Sequence, residues 1–399
     1  SEVRRDSLLN GLQVMMIERA NEPMVKIDLV VRGGSMFDLT GKTGLATLTQ
    51  ESLLAVNPRL VEELESLQSK VQWGVNEDAT WFHIEAPPSK LDQVLSIFAR
   101  LIVVDSVNKD AFTRAQKLHL DQVRGLKLTP AEKADEAFFA ALYGEFPYGH
   151  NITGTDKTVE AITYGDVYDY YKRLYAANNA FAVVVSNLKQ DRIMTSFRMN
   201  FGGWLKGAPP PPVFRPPQRA TELRIVKVEQ PDLSMVELRG GIIGVKVSDP
   251  EFIATQILAR VLESRIKQAI GDANQISVKA LPRVLAGPIY FSASVAVDRA
   301  PDLSRKVTDI FAALNKTEIT AQELAAAQAG LLDEHNARSV EEYLRMTHRL
   351  GLPRNYPVVY ADKVKGVTTI DLQAVAKKLL EANALTVVVL GRVNDGFKS

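Results

Sequence analysis

Thr47, Gln50 and Glu51 are the first, fourth and fifth residues of Thr47-Leu48-Thr49-Gln50-Glu51. On a helix that spacing puts three side chains on one face. With His at the two outer positions and Glu at the inner one, the pattern is an inverted zinc-binding motif. Two imidazoles one turn apart hold the metal, and the carboxylate takes a proton from bound water. Here the ligand positions are Thr47 and Glu51. The base position is Gln50, whose amide keeps the size of Glu but offers no lone pair basic enough to accept that proton. The segment keeps the layout of a hydrolytic metal site without its chemistry.

Other chemistry-bearing residues are sparse. The chain has five histidines and no cysteine, which excludes disulfides and thiol catalysis. His83 lies in the alternating run Thr80-Trp81-Phe82-His83-Ile84 and reads as a strand residue facing solvent or holding a core hydrogen bond. His150 reads as making local hydrogen bonds in its turn, and His335 and His348 fall on separate helical stretches. His119, on a helix, is the one candidate left, and with Glu51 and Asp121 it outlines a different possible metal site. Gly41-Lys42-Thr43 echoes the end of a phosphate loop, but Met36 stands where the first glycine is needed. The segment 271–275 lacks the Lys and Ser/Thr of such a loop and reads as a helix-to-strand turn. Glu62, Glu63 and Glu65 read as a solvated helix face, and no residue is marked as a nucleophile.

The elements that must position these residues follow from periodicity. Val25 to Val31 alternates as a half-buried strand does, and Leu91 to Leu101 has the apolar spacing of a helix packed on a sheet. Thr320 and Glu323 form a capping box ahead of the helix-forming run from Ala321. Strands followed by helices point to an α+β fold, sheets covered by helices. At 399 residues and 46% hydrophobic content the chain can build two or more cores. Its 48 basic and 47 acidic residues, net +1, give no electrostatic case for nucleic acid or an anionic membrane. No apolar run approaches the roughly 20 residues needed to span a bilayer. No signal segment is visible, and a start at Ser1 without Met reads as a processed or trimmed form.

The sequence is internally duplicated. Val31-Arg32-Gly33-Gly34 recurs as Leu238-Arg239-Gly240-Gly241, and Asn179-Ala180 before Val183-Val184-Val185 recurs as Asn383-Ala384 before Val387-Val388-Val389. Gly202-Gly203-Trp204 and the stretch 208–217, with six prolines, separate the copies as a stiff extended connector. The expected division is an N-terminal domain over 1–201, a linker over 202–222 and a C-terminal domain over 223–399.

Asn10-Gly11-Leu12, the strand end Val30-Val31-Arg32-Gly33-Gly34-Ser35, and Gly44-Leu45-Ala46 directly before Thr47 together resemble the opening of the pitrilysin or insulinase-like zinc metallopeptidase family. Phe146-Pro147-Tyr148-Gly149-His150, Tyr170 to Tyr175 and Asn179-Ala180 extend the likeness in the same order. The resemblance implies two homologous domains, each a mostly antiparallel sheet covered by helices, closing as a clamshell. It places the third zinc ligand at Gln122, with Asp121 beside it. It places the second half's substrate-holding Arg and Tyr at Gly271 and Val278, or at Ala269 and Ile276 in a second register. Arg265, Lys267 and Tyr290 lie near those positions and read as structural. Catalytic residues are therefore none, and no metal is expected in this chain.

What this implies is a pseudopeptidase: a non-catalytic subunit that pairs with an active zinc-bearing member of the same family, or with itself in isolation, to enclose and degrade peptides held along an exposed sheet edge. Zinc is expected in that partner. The two halves are expected to move as rigid bodies on the proline connector, and the compartment to be the periplasm or another exported bacterial location. The alternatives are a scaffold or peptide-binding subunit of a non-proteolytic assembly and a metallopeptidase with an unorthodox site.

Overall fold

The computed structural model describes residues 2–103, 107–271, 276–381, 383–393 and 397. The first half of the chain contributes strands β1 (Val3–Ser7), β2 (Gln13–Glu18), β3 (Val25–Arg32), β4 (Lys70–Val75), β5 (Ala79–Ala86) and β6 (Ala180–Ser186). Its helices are α1 (Leu45–Val56), α2 (Arg59–Ser66), α3 (Leu91–Ile102), α4 (Lys109–Gly125), α5 (Pro130–Tyr143), α6 (Asp156–Glu160), α7 (Tyr164–Leu174) and α8 (Gln190–Phe201). The second half contributes β7 (Arg224–Glu229), β8 (Met235–Ile243), α9 (Phe252–Ile270), β9 (Ile276–Ala280), β10 (Pro288–Ala296) and α10 (Ala300–Ala313). It continues with α11 (Ala321–Ala337), α12 (Val340–Arg349), α13 (Tyr356–Gly366), α14 (Thr369–Glu381) and β11 (Thr386–Gly391).

The strands form one six-stranded sheet, β1-β2-β6-β3-β5-β4, and one five-stranded sheet, β7-β11-β8-β10-β9. Pairing is antiparallel except between β2 and β6 and between β7 and β11. The expected α+β fold of two helix-covered sheets is what forms. Alternation along the strands divides their faces. In the first sheet Val14, Met16, Ile27, Leu29, Phe82, Ile84, Ala182 and Val184 point into the main core, shared with residues of α1, α3, α7 and α8. Met15, Ile17, Val30, Phe181, Val183 and Val185 point the other way and pack with Leu344 of α12.

The duplication extends to hydrogen bonds. The Gln116 side chain donates to the carbonyls of Val159 and Ile162, and Gln328 does the same for Val364 and Val367. Thr163 and Asp166 start α7, and Thr368 and Asp371 start α14, with the same reciprocal bonds.

The compact units are not the two continuous halves that a division at the connector gives. One comprises 1–126, 151–213 and 339–349; the other comprises 127–150, 214–338 and 350–399. Helix α5 thus packs in the unit of the second sheet, where Arg239 reaches the Asp135 carboxylate and the Ala131 carbonyl. Phe138 stacks on Tyr290 there. Reciprocally, α12 packs in the unit of the first sheet. Arg345 meets Asp28 at 2.6 Å, Arg32 donates to the His348 carbonyl, and the His348 ring lies against Phe181. The physical reason is the uncovered apolar face of each sheet, which its own half leaves without a helix.

Candidate functional site

The site helix α1 begins where Gly44 turns the chain with φ 94°, a conformation that favours glycine. A side chain there would also meet the Thr153 carbonyl oxygen at 2.6 Å. The Asp38 carboxylate accepts from the N–H groups of Gly44 and Ala46, each at 2.8 Å, and so satisfies donors at the helix start. The register of Thr47, Gln50 and Glu51 follows from that start.

Each of the three is bonded to the protein. The Thr47 hydroxyl donates to the Ile152 carbonyl at 2.9 Å. The Gln50 amide, 1% exposed, donates to the Trp81 carbonyl at 3.0 Å and more weakly to the Gly74 carbonyl at 3.4 Å. It therefore holds α1 to the β4–β5 hairpin. The Glu51 carboxylate faces His119 Nδ1 at 3.0 and 3.2 Å. His119 Nε2 lies 2.7 Å from the Thr153 carbonyl. With an acceptor on each ring nitrogen, the 2% exposed imidazole is held as a double donor. Burial works against the charged ring, but the Glu51 carboxylate and the Thr153 carbonyl outweigh it, and the His119 pKa is raised.

Gln122 and Asp121, also on α4, are exposed. The α4 residue that meets Glu51 is His119, three positions before Gln122. That contact was legible only as a suspicion, because neither His119 nor Glu51 matches a ligand pattern. A zinc ion does not fit the set as it stands. Thr47 and Gln50 are neutral and committed to backbone carbonyls, and Glu51 and His119 are committed to each other. Among the described residues no group of three or more His, Cys, Asp or Glu could hold a metal ion.

In the second half Gly271 ends α9 in the left-handed conformation, and the rest of its turn, 272–275, lies outside the described residues. Val278 is buried on β9, and its N–H donates to the Glu263 carboxylate. Ala269 and Ile276 likewise carry no polar side chain. The three neighbours have structural partners: Arg265 bonds Glu323, Thr317 and the Glu318 carbonyl, Lys267 bonds Glu263, and Tyr290 stacks on Phe138.

The chain is thus a two-sheet α+β protein with Thr47, Gln50 and Glu51 on one face of its first helix. Residues 13–156 match the family model described as insulinase, peptidase family M16, and residues 161–331 match the model described as the peptidase M16 inactive domain. The chain belongs to this insulinase-like M16 family. An uncharacterized zinc protease of Rickettsia felis is 20% identical over 205 residues, 50% of this chain and 50% of that protein. The match thus spans about half the length of that relative. In fold, the chain is similar to a crystal structure of a peptidase M16 inactive domain from Pseudomonas fluorescens, with TM-score 0.83, 20% identity, and 99% and 98% of the two chains covered. It is also similar to the first half of the periplasmic protease PqqL from Escherichia coli, with TM-score 0.79, 16% identity, and 99% and 92% covered.

Proposed function

We propose that this chain is a non-catalytic member of the M16 family that binds peptides and supports proteolysis by an active, zinc-bearing partner of the same family. The observation that carries the reading is the commitment of Thr47, Gln50, Glu51 and His119 to protein partners, with no imidazole pair and no general base at the motif. Catalysis by this family's usual chemistry needs both. The retained architecture leaves β4 as a sheet edge, bonded to β5 on one side only. Such an edge can take an extended peptide as an added strand, reading backbone more than side chain. Gln50 bears on that edge through its hydrogen bonds to β4 and β5 carbonyls.

The same reading assigns no catalytic residue to the Gly271 and Val278 positions and leaves the zinc to the partner. An exported location is proposed from the likeness to a periplasmic protease. The test is turnover of a quenched fluorescent peptide by the purified chain, by an M16 peptidase from the same genome that keeps His-x-x-Glu-His, and by the two together. No turnover by this chain alone and an increase on mixing is the expected result. Zinc-dependent turnover by this chain alone would overturn the reading.

A further inference from the structure

On the face of the first sheet that α12 partly covers, a cavity of about 510 Å³ opens between α12 and strands β3, β4 and β5. Its size is that of a small-ligand pocket. Asp28, Gln72, Asn76, Trp81, His83 and Arg345 supply most of its polar lining. Asp28, the inner carboxylate, is bonded at both oxygens: His83 Nδ1 reaches one at 2.7 Å and Arg345 the other at 2.6 Å. Only one Arg345 nitrogen is used in that pair, and the guanidinium has further donors. The Trp81 indole N–H has no acceptor among the described residues. Gly74 is what lets that ring lie along the sheet edge, since a Cβ at 74 would come within 2.5 Å of it. The Asn76 side-chain oxygen accepts from the Asp78 and Ala79 N–H groups, which leaves its NH₂ as a donor. Gln72 is exposed, and its side chain makes no hydrogen bond among the described residues. At the rim, Glu342 is turned back to the Ser339 N–H as the cap of α12.

The cavity is thus rich in donors, and both oxygens of its inner carboxylate are already bonded. We propose that it binds a carboxylate carried by an extended peptide, either an acidic side chain or the chain terminus. Arg345 is the ion-pair partner, and Trp81, Asn76 and Gln72 are the hydrogen-bond donors. The proposal rests on the peptide-binding reading above and narrows it to peptides that present a carboxylate to this cavity.

Titration calorimetry with the full chain tests it, using an unstructured ten-residue peptide with one central Glu, the same peptide with Gln, and each with a free or amidated C-terminus. The expected result is binding about tenfold tighter for whichever carboxylate the cavity takes. The Glu/Gln pair reads the side chain and the amidated pair reads the terminus. Arg345→Gln should abolish the difference and Arg345→Lys restore part of it. Trp81→Phe, which leaves the Asp28 cluster intact, should weaken only the carboxylate peptide, by about threefold. Equal binding of all peptides by the unmodified chain overturns the carboxylate site and leaves peptide binding standing. Binding of none overturns both.

Discussion

At Gln50 a single change from carboxylate to amide alters both chemistry and packing. The amide donates to the carbonyls of Trp81 and Gly74, where a carboxylate would face two oxygens. Gln50→Glu should therefore destabilise the fold by about 2 kcal/mol at pH 8. A carboxyl in that position has its pKa raised on folding, so the loss should be small at acidic pH, where it is protonated, and grow as pH rises through its folded-state value. Denaturant unfolding at pH 5 and pH 8 reads this directly. The His119 ring has the same sign. Because its pKa is raised in the fold, its pairing with Glu51 stabilises fully below the ordinary histidine value, near 6.5, and that stabilisation is lost as pH rises through the folded value. The stability gap between the unmodified chain and Glu51→Gln should narrow as pH rises above the ordinary histidine value. The geometry also revises how a metal site would be rebuilt. Since His119 rather than Gln122 meets Glu51, Thr47→His with Glu51→His should create zinc binding with His119 as third ligand, measurable by calorimetry against the unmodified chain. The emptied motif was legible from residue types alone. The His119 partner was not, because an ion pair between a helix-four His and a helix-one Glu follows no ligand spacing.

Among the elements, α5 and α12 show where sequence pattern runs out. Both start with the same reciprocal cap, Thr129 with Glu132 and Ser339 with Glu342. Their periodicity says that one face is buried, but not against which sheet, and each covers the sheet of the other half of the chain. The connector at 208–217, which forms no helix or strand, is accordingly one of five places where the chain passes between the compact units. Leu344→Ala should cost about 3 kcal/mol, because it opens a cavity against Phe181 and its neighbours. A fragment ending at Val213 lacks α12 and leaves Met15, Ile17, Phe181 and Val183 uncovered. It should bind a hydrophobic dye and aggregate, and recover a cooperative melt when produced together with 214–399. A cooperative melt from the fragment alone would contradict the exchange.

Over the whole molecule, the duplication and the strand-then-helix order were enough to anticipate two sheets of similar build, because buried strands such as Ala180–Ser186 and Thr386–Gly391 carry their signal locally. The proposed function rests on the residue types at Thr47, Gln50 and Glu51 of α1, and its central claim is that the chain uses no zinc of its own. Elemental mass spectrometry of the purified chain after mild dialysis tests it. The account predicts no stoichiometric zinc. One zinc per chain, lost on replacing His119 or Glu51, would contradict it and make those residues ligands of an active site.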